Sequence, residues 1–284
     1  MRVLVTGASG GLGQLVVTDL LNLGFEVIAT SKNIEKAKEL SFYDKVDYIS
    51  YDFYTNNGNS NLYELFKKPD MLIHLAWDKL NDYQNELHET LILESQKQFL
   101  DNLISNGLIN VNVIGSCYEY GLQEGELIET MDSIPTLSYT IAKNKLRLYL
   151  EEKKQINSFN LTWIRVFYVF GDILGRKNLY TLINQAINNN DESFDMSGGE
   201  QVRDFLSTKE ISKLIVQISI QNEITGIVNC CSGKPVKLKD YVQEYLNLCQ
   251  SKIKLNLGVF PYTTYEPMTC WGNTDKLHKI VLKQ

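Results

Sequence analysis

A tyrosine and a lysine that could carry out proton transfer together stand four residues apart, at Tyr139 and Lys143. This spacing places both side chains on one face of a helix predicted over residues 139–155. A phenol with a pKa of about 10 is a poor acid–base catalyst at neutral pH, but a nearby ammonium favours the phenolate and lowers that pKa. Ser116, at the end of the preceding predicted strand, could hydrogen-bond the same substrate oxygen. The set predicts proton transfer at a carbonyl or alcohol oxygen.

The first predicted strand is followed at once by a glycine-rich loop, TGASGGLG at residues 6–13, which opens the first predicted helix. Its glycines permit a tight turn, a close approach of the backbone to a pyrophosphate, and close packing of helix on strand. The helix N-terminus offers free N–H groups and the positive end of a dipole to that anion. The loop therefore predicts a dinucleotide site at Gly7, Ser9, Gly10, Gly11, Leu12 and Gly13.

The end of the second predicted strand bears on which dinucleotide is bound. An NAD site usually has an acidic residue there, which holds the ribose hydroxyls. This chain has Ser31 and Lys32 instead, and a hydroxyl with an ammonium suits a 2′-phosphate. We therefore expect NADP(H), with NAD as the alternative if Lys32 is only a solvated surface lysine. Asp52, which ends the third predicted strand, is expected near the adenine edge unless it merely caps that strand.

Short apolar strands alternate with amphipathic helices along the first part of the chain, which is typical of a parallel sheet covered on both faces. Strands are predicted over 2–6, 26–31, 46–52, 71–76, 110–116 and 161–170, and helices over 11–23, 34–40, 84–105 and 139–155. After residue 171 turn-rich pieces interrupt shorter elements. We expect an α/β Rossmann domain over 1–170, then a smaller substrate-binding lobe over 171–284 with some helices returning to the sheet.

Taken in order along the chain, these motifs resemble the extended short-chain dehydrogenase/reductase family, in its nucleotide-sugar epimerase, dehydratase and reductase branch. The matching stretches are TGASGGLG (6–13), HLA (74–76), GSCYEYG (115–121), SYTIAK (138–143), RVFYVFG (165–171), GGEQVRDFL (198–206) and VNCCSGKP (228–235). The resemblance implies a Rossmann domain with a C-terminal sugar-nucleotide lobe. It also places Ser116, Tyr139 and Lys143 on the family's catalytic serine/threonine, tyrosine and lysine.

Other positions carry over from the resemblance as binding residues. Phe53, Leu75 and Ala76 would join Tyr139 and Lys143 at the cofactor. Arg203 would meet the substrate diphosphate, for which a guanidinium fork is suited, unless it forms a salt bridge with Asp204 or Glu200 instead. The remaining expected substrate contacts are Trp77, Ser116, Cys117, Tyr118 and Asn178.

Departures from the family pattern narrow the chemistry that the resemblance implies. The family's 4,6-dehydratases have an acidic pair directly after the catalytic serine or threonine, where this chain has Cys117 and Tyr118. Dehydration is therefore not expected. Trp77 stands where a small residue is usual, and it either shapes the hexose pocket or packs as an ordinary aromatic.

Three functions remain open from the sequence. The first is an NADPH-dependent reductase of a nucleotide-linked 4-keto-6-deoxyhexose, in deoxysugar biosynthesis. The second is an NAD-dependent nucleotide-sugar 4-epimerase, and the third is a non-enzymatic nucleotide sensor. The phosphate-accommodating pattern at Lys32 favours the reductase, and the intact catalytic set argues for an enzyme rather than a sensor.

Composition limits the partners and the setting. A formal net charge of −6 argues against nucleic acid as the main partner. The five cysteines have no C-x-x-C spacing, so neither a disulfide framework nor a metal site is expected. No signal sequence or membrane-length apolar run is apparent, and we expect a cytoplasmic protein. By analogy with the family, a homodimer through the two long predicted helices is expected.

Overall fold

The computed structural model of the protein describes residues 1–55, 60–173 and 176–282. The strands, in chain order, are β1 (Arg2–Thr6), β2 (Glu26–Thr30), β3 (Asp47–Tyr48), β4 (Met71–His74), β5 (Asn110–Ser116), β6 (Gly125–Leu127), β7 (Asn160–Val166), β8 (Tyr168–Phe170), β9 (Ser193–Asp195), β10 (Val202–Ser207), β11 (Gly226–Cys230), β12 (Pro235–Lys237), β13 (Lys254–Asn256) and β14 (Cys270–Gly272).

The α-helices are α1 (Gly11–Asn22), α2 (Ile34–Lys38), α3 (Leu62–Leu65), α4 (Leu91–Ser105), α5 (Ser138–Ile156), α6 (Leu179–Asn189), α7 (Thr208–Ser219), α8 (Leu238–Leu248) and α9 (Asp275–Val281). Three-residue and four-residue 3-10 turns cover Tyr43–Lys45, Glu86–His88 and Cys117–Tyr120. Among the described helices, none combines the length and the apolar character needed to cross a membrane.

Seven strands of the described chain form one parallel sheet in the order β11-β7-β5-β4-β1-β2-β3. Strand order reverses around β1, which has β2 on one side and β4 on the other. In such open sheets, ligands bind beyond the carboxyl ends of the strands at this reversal. The glycine-rich loop leaves β1 at that point, so the fold places the loop where a dinucleotide is expected. The predicted α/β Rossmann class is confirmed.

The sheet is buried on both faces because successive side chains of a strand point to opposite sides. Val3 and Val5 of β1 belong to a core with α1, α7 and α9, whereas Leu4 belongs to a second core with α4 and α5. Each strand therefore needs apolar residues at nearly every position. That requirement produces the continuous apolar runs from which the strands were predicted.

Several predicted elements differ from the structure. The strand predicted over 161–170 is interrupted at Phe167 and forms two strands, β7 in the main sheet and β8 beside β10. The strand predicted over 46–52 is ordered as a strand only over Asp47–Tyr48. The helix predicted over 84–105 begins at Leu91, after a 3-10 turn. Periodicity alone does not reveal where a bend or a short turn interrupts or shortens an element.

The residues after Phe170 divide between the main sheet and a smaller apolar cluster. Strand β11 extends the main sheet beside β7, and α7 and α9 pack against the same core as α1. Helices α6 and α8 pack together with Phe170 around Ile183 and Val242. Return of helices to the sheet was expected, whereas a seventh strand from this part of the chain was not.

Candidate active site

The glycine-rich loop is packed too tightly for side chains at two of its positions. Gly7 has φ +68°, and a Cβ there would lie 2.9 Å from the backbone nitrogen of Ala76. A Cβ on Gly13 would lie 2.1 Å from the carbonyl oxygen of Gly7. Because no L-side chain fits either place, the loop requires glycine in order to bring β1, α1 and the segment after β4 together.

Helix α1 begins at Gly11, within the last part of this loop, and in the described chain no side chain caps its N-terminus. Its first-turn N–H groups therefore remain available to an anion. The Gln14 side chain donates to the carbonyl of Ser9 at 3.0 Å, which fixes the loop against the helix. Gly10, Gly11 and Leu12 lie at the helix entry, as a pyrophosphate site requires.

Two of the residues predicted at the adenosine end, Ser31 and Lys32, make separate polar contacts. The hydroxyl of Ser31 bonds the hydroxyl of Tyr48, which is also hydrogen-bonded by Ser9. Lys32 lies on the surface with its Nζ 3.7 Å from a carboxylate oxygen of Asp78. Sequence reasoning missed both Tyr48 and Asp78, since neither lies at the end of β2.

Asp52 and Phe53 follow β3 and lie beside the sheet. Asp52 accepts a hydrogen bond from the backbone nitrogen of Tyr54 at 3.0 Å, which is a turn-forming role. Phe53 packs edge-on against Phe99 at 4.7 Å between ring centres. Ala76, with Leu75 before it, faces Gly7, and its N–H donates to Thr6 Oγ1 at 3.2 Å. Their predicted contacts with a cofactor remain predictions.

Ser116 ends β5 and is held by the turn that follows it. Its backbone N–H donates to Glu119 Oε1 at 2.8 Å, and its hydroxyl accepts from the N–H of Tyr118 at 3.2 Å. Glu119 is fully buried and also accepts from Trp163 and Arg165. The Ser-x-x-Glu spacing is that of a capping box, so this partner could have been found in the sequence.

Tyr139 and Lys143 are one turn apart on α5, as predicted, and both side chains are buried. Lys143 Nζ donates to the carbonyl of Ile114 on β5 at 2.7 Å, and it lies 4.0 Å from the centre of the Trp77 ring. Tyr139 stacks on Tyr83 with ring centres 5.0 Å apart. The structure thus brings the lysine to the carboxyl end of β5, where Ser116 also lies, with the tyrosine one helical turn before it.

The charge relationship between these two residues differs from the sequence expectation. Burial raises the pKa of the Tyr139 phenol well above its usual range, and the Tyr83 phenol raises it further. Burial lowers the pKa of Lys143 to about 7, against an opposing effect of the Glu119 carboxylate. Desolvation therefore outweighs the expected pull of the ammonium on the phenol. Tyr139 is accordingly held as a neutral phenol, which is the form that donates a proton.

Arg203 is buried, and it pairs with neither Asp204 nor Glu200. Its Nη2 donates to Glu266 at 3.0 Å, and its Nη1 donates to the carbonyl oxygens of Val202 and Met268. Asp204 instead accepts from the backbone of Gly233 and Gly272, which makes it a structural residue. Glu266 was missed because it is distant in sequence from every motif.

Glu266 links Arg203 to the residues after Ser116. Its two carboxylate oxygens accept hydrogen bonds from the hydroxyls of Tyr118 and Tyr168, each at 3.1 Å. Cys117 is buried beside this group, and burial raises the pKa of its thiol. The predicted substrate contacts Tyr118 and Arg203 are therefore joined through a shared carboxylate.

Asn178 caps helix α6. Its Oδ1 accepts from the N–H of Thr181 at 2.9 Å, and its Nδ2 donates to the carbonyl of Gly171 at 3.0 Å. Both ends of the Asn178 amide are therefore used in local structure. Its contact with a substrate phosphate stays a prediction.

Comparison with known proteins identifies the family. The family model described as "NAD dependent epimerase/dehydratase family" matches residues 3–231. The chain belongs to the NAD dependent epimerase/dehydratase family. It is therefore an oxidoreductase of the extended short-chain dehydrogenase/reductase type, which confirms the resemblance seen in the motifs.

Two curated relatives come from Aggregatibacter actinomycetemcomitans. The dTDP-6-deoxy-L-talose 4-dehydrogenase (NAD(+)) is 32% identical over 273 residues, covering 96% of this chain and 99% of the relative. The GDP-6-deoxy-D-talose 4-dehydrogenase is 23% identical over 245 residues, covering 82% of this chain and 75% of the relative.

Solved structures show the same fold. The UDP-N-acetylglucosamine 4-epimerase of Methanobrevibacter ruminantium M1 superposes with a TM-score of 0.83 at 21% identity, covering 98% of this chain and 91% of the other. The UDP-glucuronic acid 4-epimerase of Bacillus cereus, solved with UDP-glucuronic acid and NAD, gives 0.82 at 20% identity, covering 100% and 94%.

The buried lysine predicts a stability that depends on pH. Below pH about 7, Lys143 is protonated in both folded and unfolded chains, and between about 7 and 10.5 only the unfolded chain keeps the proton. Stability should therefore rise with pH through this window. We expect Lys143→Met to raise the melting temperature by several degrees at pH 6.5 and to flatten the rise between pH 6.5 and 8.5.

Melting curves without added dinucleotide, recorded across this pH range, provide the measurement. Lys154→Met, on the exposed side of the same helix, is the matched control and should leave the pH dependence intact. If the melting temperature of Lys143→Met rose with pH as steeply as that of the wild type, the pH dependence would not come from the titration of Lys143.

Proposed function

We propose that the protein reduces the 4-keto group of a nucleotide-linked 4-keto-6-deoxyhexose to a hydroxyl, with NADPH as the hydride donor. The observation that carries this proposal is that Lys143 reaches the Ile114 carbonyl near the carboxyl end of β5, the strand that ends at Ser116, with Tyr139 one turn earlier on the same helix. The glycine-rich loop leaves the carboxyl end of β1 in the same parallel sheet. The names of the two curated relatives support the substrate class, since both refer to dehydrogenation at C4 of a nucleotide-linked 6-deoxy sugar.

The surroundings of Ser116 argue against dehydration. The carboxylate closest in sequence is Glu119, whose oxygens already accept from Ser116, Trp163 and Arg165 in a fully buried position. Glu119 therefore cannot reach a substrate carbon to remove a proton. Cys117 cannot do so either, because burial raises the pKa of its thiol well above neutrality.

Reduction requires a proton on the substrate oxygen while C4 receives a hydride. Burial keeps the Tyr139 hydroxyl protonated, so it can donate that proton. The Lys143 ammonium stabilises the phenolate that remains, and the Ser116 hydroxyl can orient the substrate oxygen. When bound, the reduced nicotinamide supplies the hydride. The hydride, a hydrogen with two electrons, would form the new C–H bond at C4, and the proton from Tyr139 would form the O–H bond of the alcohol.

Lys32 supports NADPH over NADH. Its ion pair with Asp78 is 3.7 Å long, and both side chains are largely exposed. An exposed pair of this kind contributes about 0–1 kcal/mol, whereas a 2′-phosphate offers close to two negative charges. The phosphate should therefore replace Asp78 as the partner of Lys32. The NAD(+) in the name of the 32% identical relative supports NAD as the alternative.

Replacing Tyr139 with Phe removes the proposed acid while keeping the ring that stacks on Tyr83. Because positioned general acids contribute about 10²–10⁴-fold, turnover should fall by that factor, with dinucleotide affinity unchanged. The measurement is single-turnover oxidation of NADPH with the keto sugar nucleotide. The control is Tyr149→Phe, further along α5, which removes a hydroxyl that bonds Asp101 of α4. This variant should keep wild-type turnover. Wild-type hydride transfer in Tyr139→Phe would exclude Tyr139 as the acid.

Cofactor choice is tested with Lys32→Ala and Asp78→Asn. A charge-assisted contact contributes about 1.5–3 kcal/mol, so the wild type should bind NADPH roughly ten- to a hundredfold tighter than NADH. Lys32→Ala should narrow this ratio, and Asp78→Asn should widen it by removing the competing carboxylate. Titration by fluorescence measures both affinities, with the exposed Lys36→Ala as control. Equal or tighter NADH binding by the wild type would favour NAD.

A further inference from the structure

The indole face of Trp77 is the surface on which the Lys143 ammonium lies. Lys143 Nζ is 4.0 Å from the centre of that ring and 6.0 Å from the centre of Trp163. Its hydrogen bond to the carbonyl of Ile114 holds it from another side. An ammonium over an indole face is attracted by the ring quadrupole, and the attraction is larger when the site is desolvated. Both side chains are buried here, with Trp77 8% and Lys143 1% exposed.

The orientation of the Trp77 ring is fixed by a chain of hydrogen bonds. Its Nε1 donates to Nδ1 of His88 at 3.0 Å, and Nε2 of His88 lies 2.9 Å from the carbonyl of Asp82. Since Nδ1 accepts, Nε2 carries the proton and donates it to that carbonyl. The same ring meets Tyr139 edge-on, with centres 5.9 Å apart. Trp77 thus contacts both the tyrosine and the lysine.

Among the charged and titratable groups around Lys143, few stabilise its positive charge. Glu119 is the anion that raises the pKa of Lys143, but its oxygens are already bonded to other donors. Burial, with a smaller contribution from the Lys143 ammonium, lowers the pKa of His74 to about 3 and lowers that of His88. Tyr139 is kept neutral by burial. The aromatic face is therefore a principal stabilising contact for the ammonium.

We propose that Trp77 is a positioning residue that keeps the Lys143 ammonium charged and held against the Ile114 carbonyl, one helical turn from Tyr139. This role explains why the chain has a large aromatic where the resemblance implies a small residue. The expected effect of Trp77 on turnover rests on the proposed reduction, whereas its expected effect on the protonation of Lys143 does not. In the absence of the indole face, the buried ammonium would lose its proton at a lower pH.

The test compares the titration of Lys143 with and without the aromatic face. Melting temperatures are measured between pH 5.5 and 9 for Trp77→Met and Trp77→Phe, each with Lys143 and with Lys143→Met. The difference between the two lysine backgrounds isolates the titration of Lys143 from those of His74 and His88. This difference is constant while Lys143 is protonated in the folded chain, and it begins to change at the midpoint of the Lys143 titration in the folded chain. We expect this titration midpoint to fall by about one pH unit in Trp77→Met and by less in Trp77→Phe, which keeps an aromatic face.

Biosynthetic incorporation of fluorotryptophan gives an isosteric variant if Trp77→Met does not fold. Fluorine withdraws electron density from the ring, so the midpoint should fall in the labelled wild type. It should fall by less on labelling of Trp77→Phe, where the remaining tryptophans are Trp163, 6.0 Å from Lys143 Nζ, and Trp271. An unchanged midpoint in labelled wild type and in Trp77→Met would overturn the proposal and leave Trp77 as a packing residue.

A kinetic measurement separates this proposal from the proposed function. Single-turnover NADPH oxidation by Trp77→Phe should keep its pH profile close to wild type, and Trp77→Met should lose activity first at high pH, where Lys143 deprotonates early. A shifted midpoint of the Lys143 titration, without any reductase activity in the wild type, would support the positioning role while refuting the proposed reaction. Activity with identical pH profiles in all variants would refute the positioning role alone.

Discussion

The buried carboxylate of Glu119 is the interaction on which the geometry of the site depends. It accepts from the backbone of Ser116 on β5 and from Trp163 and Arg165 on β7, with neither charge of the Glu119–Arg165 pair exposed. A buried ion pair is costly to desolvate, and removing one partner leaves an uncompensated charge. These bonds join two neighbouring strands to the turn after Ser116. They fix Ser116 relative to the sheet before helix α5 adds its own side chains.

Burial also sets the division of roles on α5. The same desolvation that raises the pKa of Tyr139 lowers that of Lys143, so both groups are pushed toward their neutral forms. A neutral phenol suits proton donation, and the lysine is useful only while it remains charged. The fold meets this second need with the Ile114 carbonyl and the Trp77 ring, which stabilise positive charge without introducing an anion.

Local motifs predicted the parts of the site that are continuous in sequence. The strand–loop–helix around Gly7 and Gly13, strand β5 ending at Ser116, and the Tyr139–Lys143 pair each depend on neighbours a few residues away. Gly13 is required by a contact under 3 Å with the Gly7 carbonyl inside the turn, and Gly7 is required there by its positive φ. Such contacts are reflected in residue type and spacing, which is why the Rossmann class and the main strands could be predicted.

Contacts between distant segments could not be predicted in this way. The partner of Arg203 is Glu266 rather than a neighbour in sequence, and Lys32 faces Asp78 from another strand end. The pairing of β11 with β7 likewise depends on a return of the chain after the small cluster around Ile183. No local pattern distinguishes a strand that joins the main sheet from one that pairs within a lobe. Only the three-dimensional arrangement decides these cases.

The most direct test of the central claim follows the hydride itself. NADPH deuterated separately on each face of nicotinamide C4 would be incubated with dTDP-, CDP-, GDP- and UDP-linked 4-keto-6-deoxyhexoses. Mass spectrometry and NMR would then locate the label in the product. The account predicts one deuterium at hexose C4, delivered from only one of the two labelled forms. Deuterium absent from the sugar with every substrate, or found at a carbon other than C4, would contradict it.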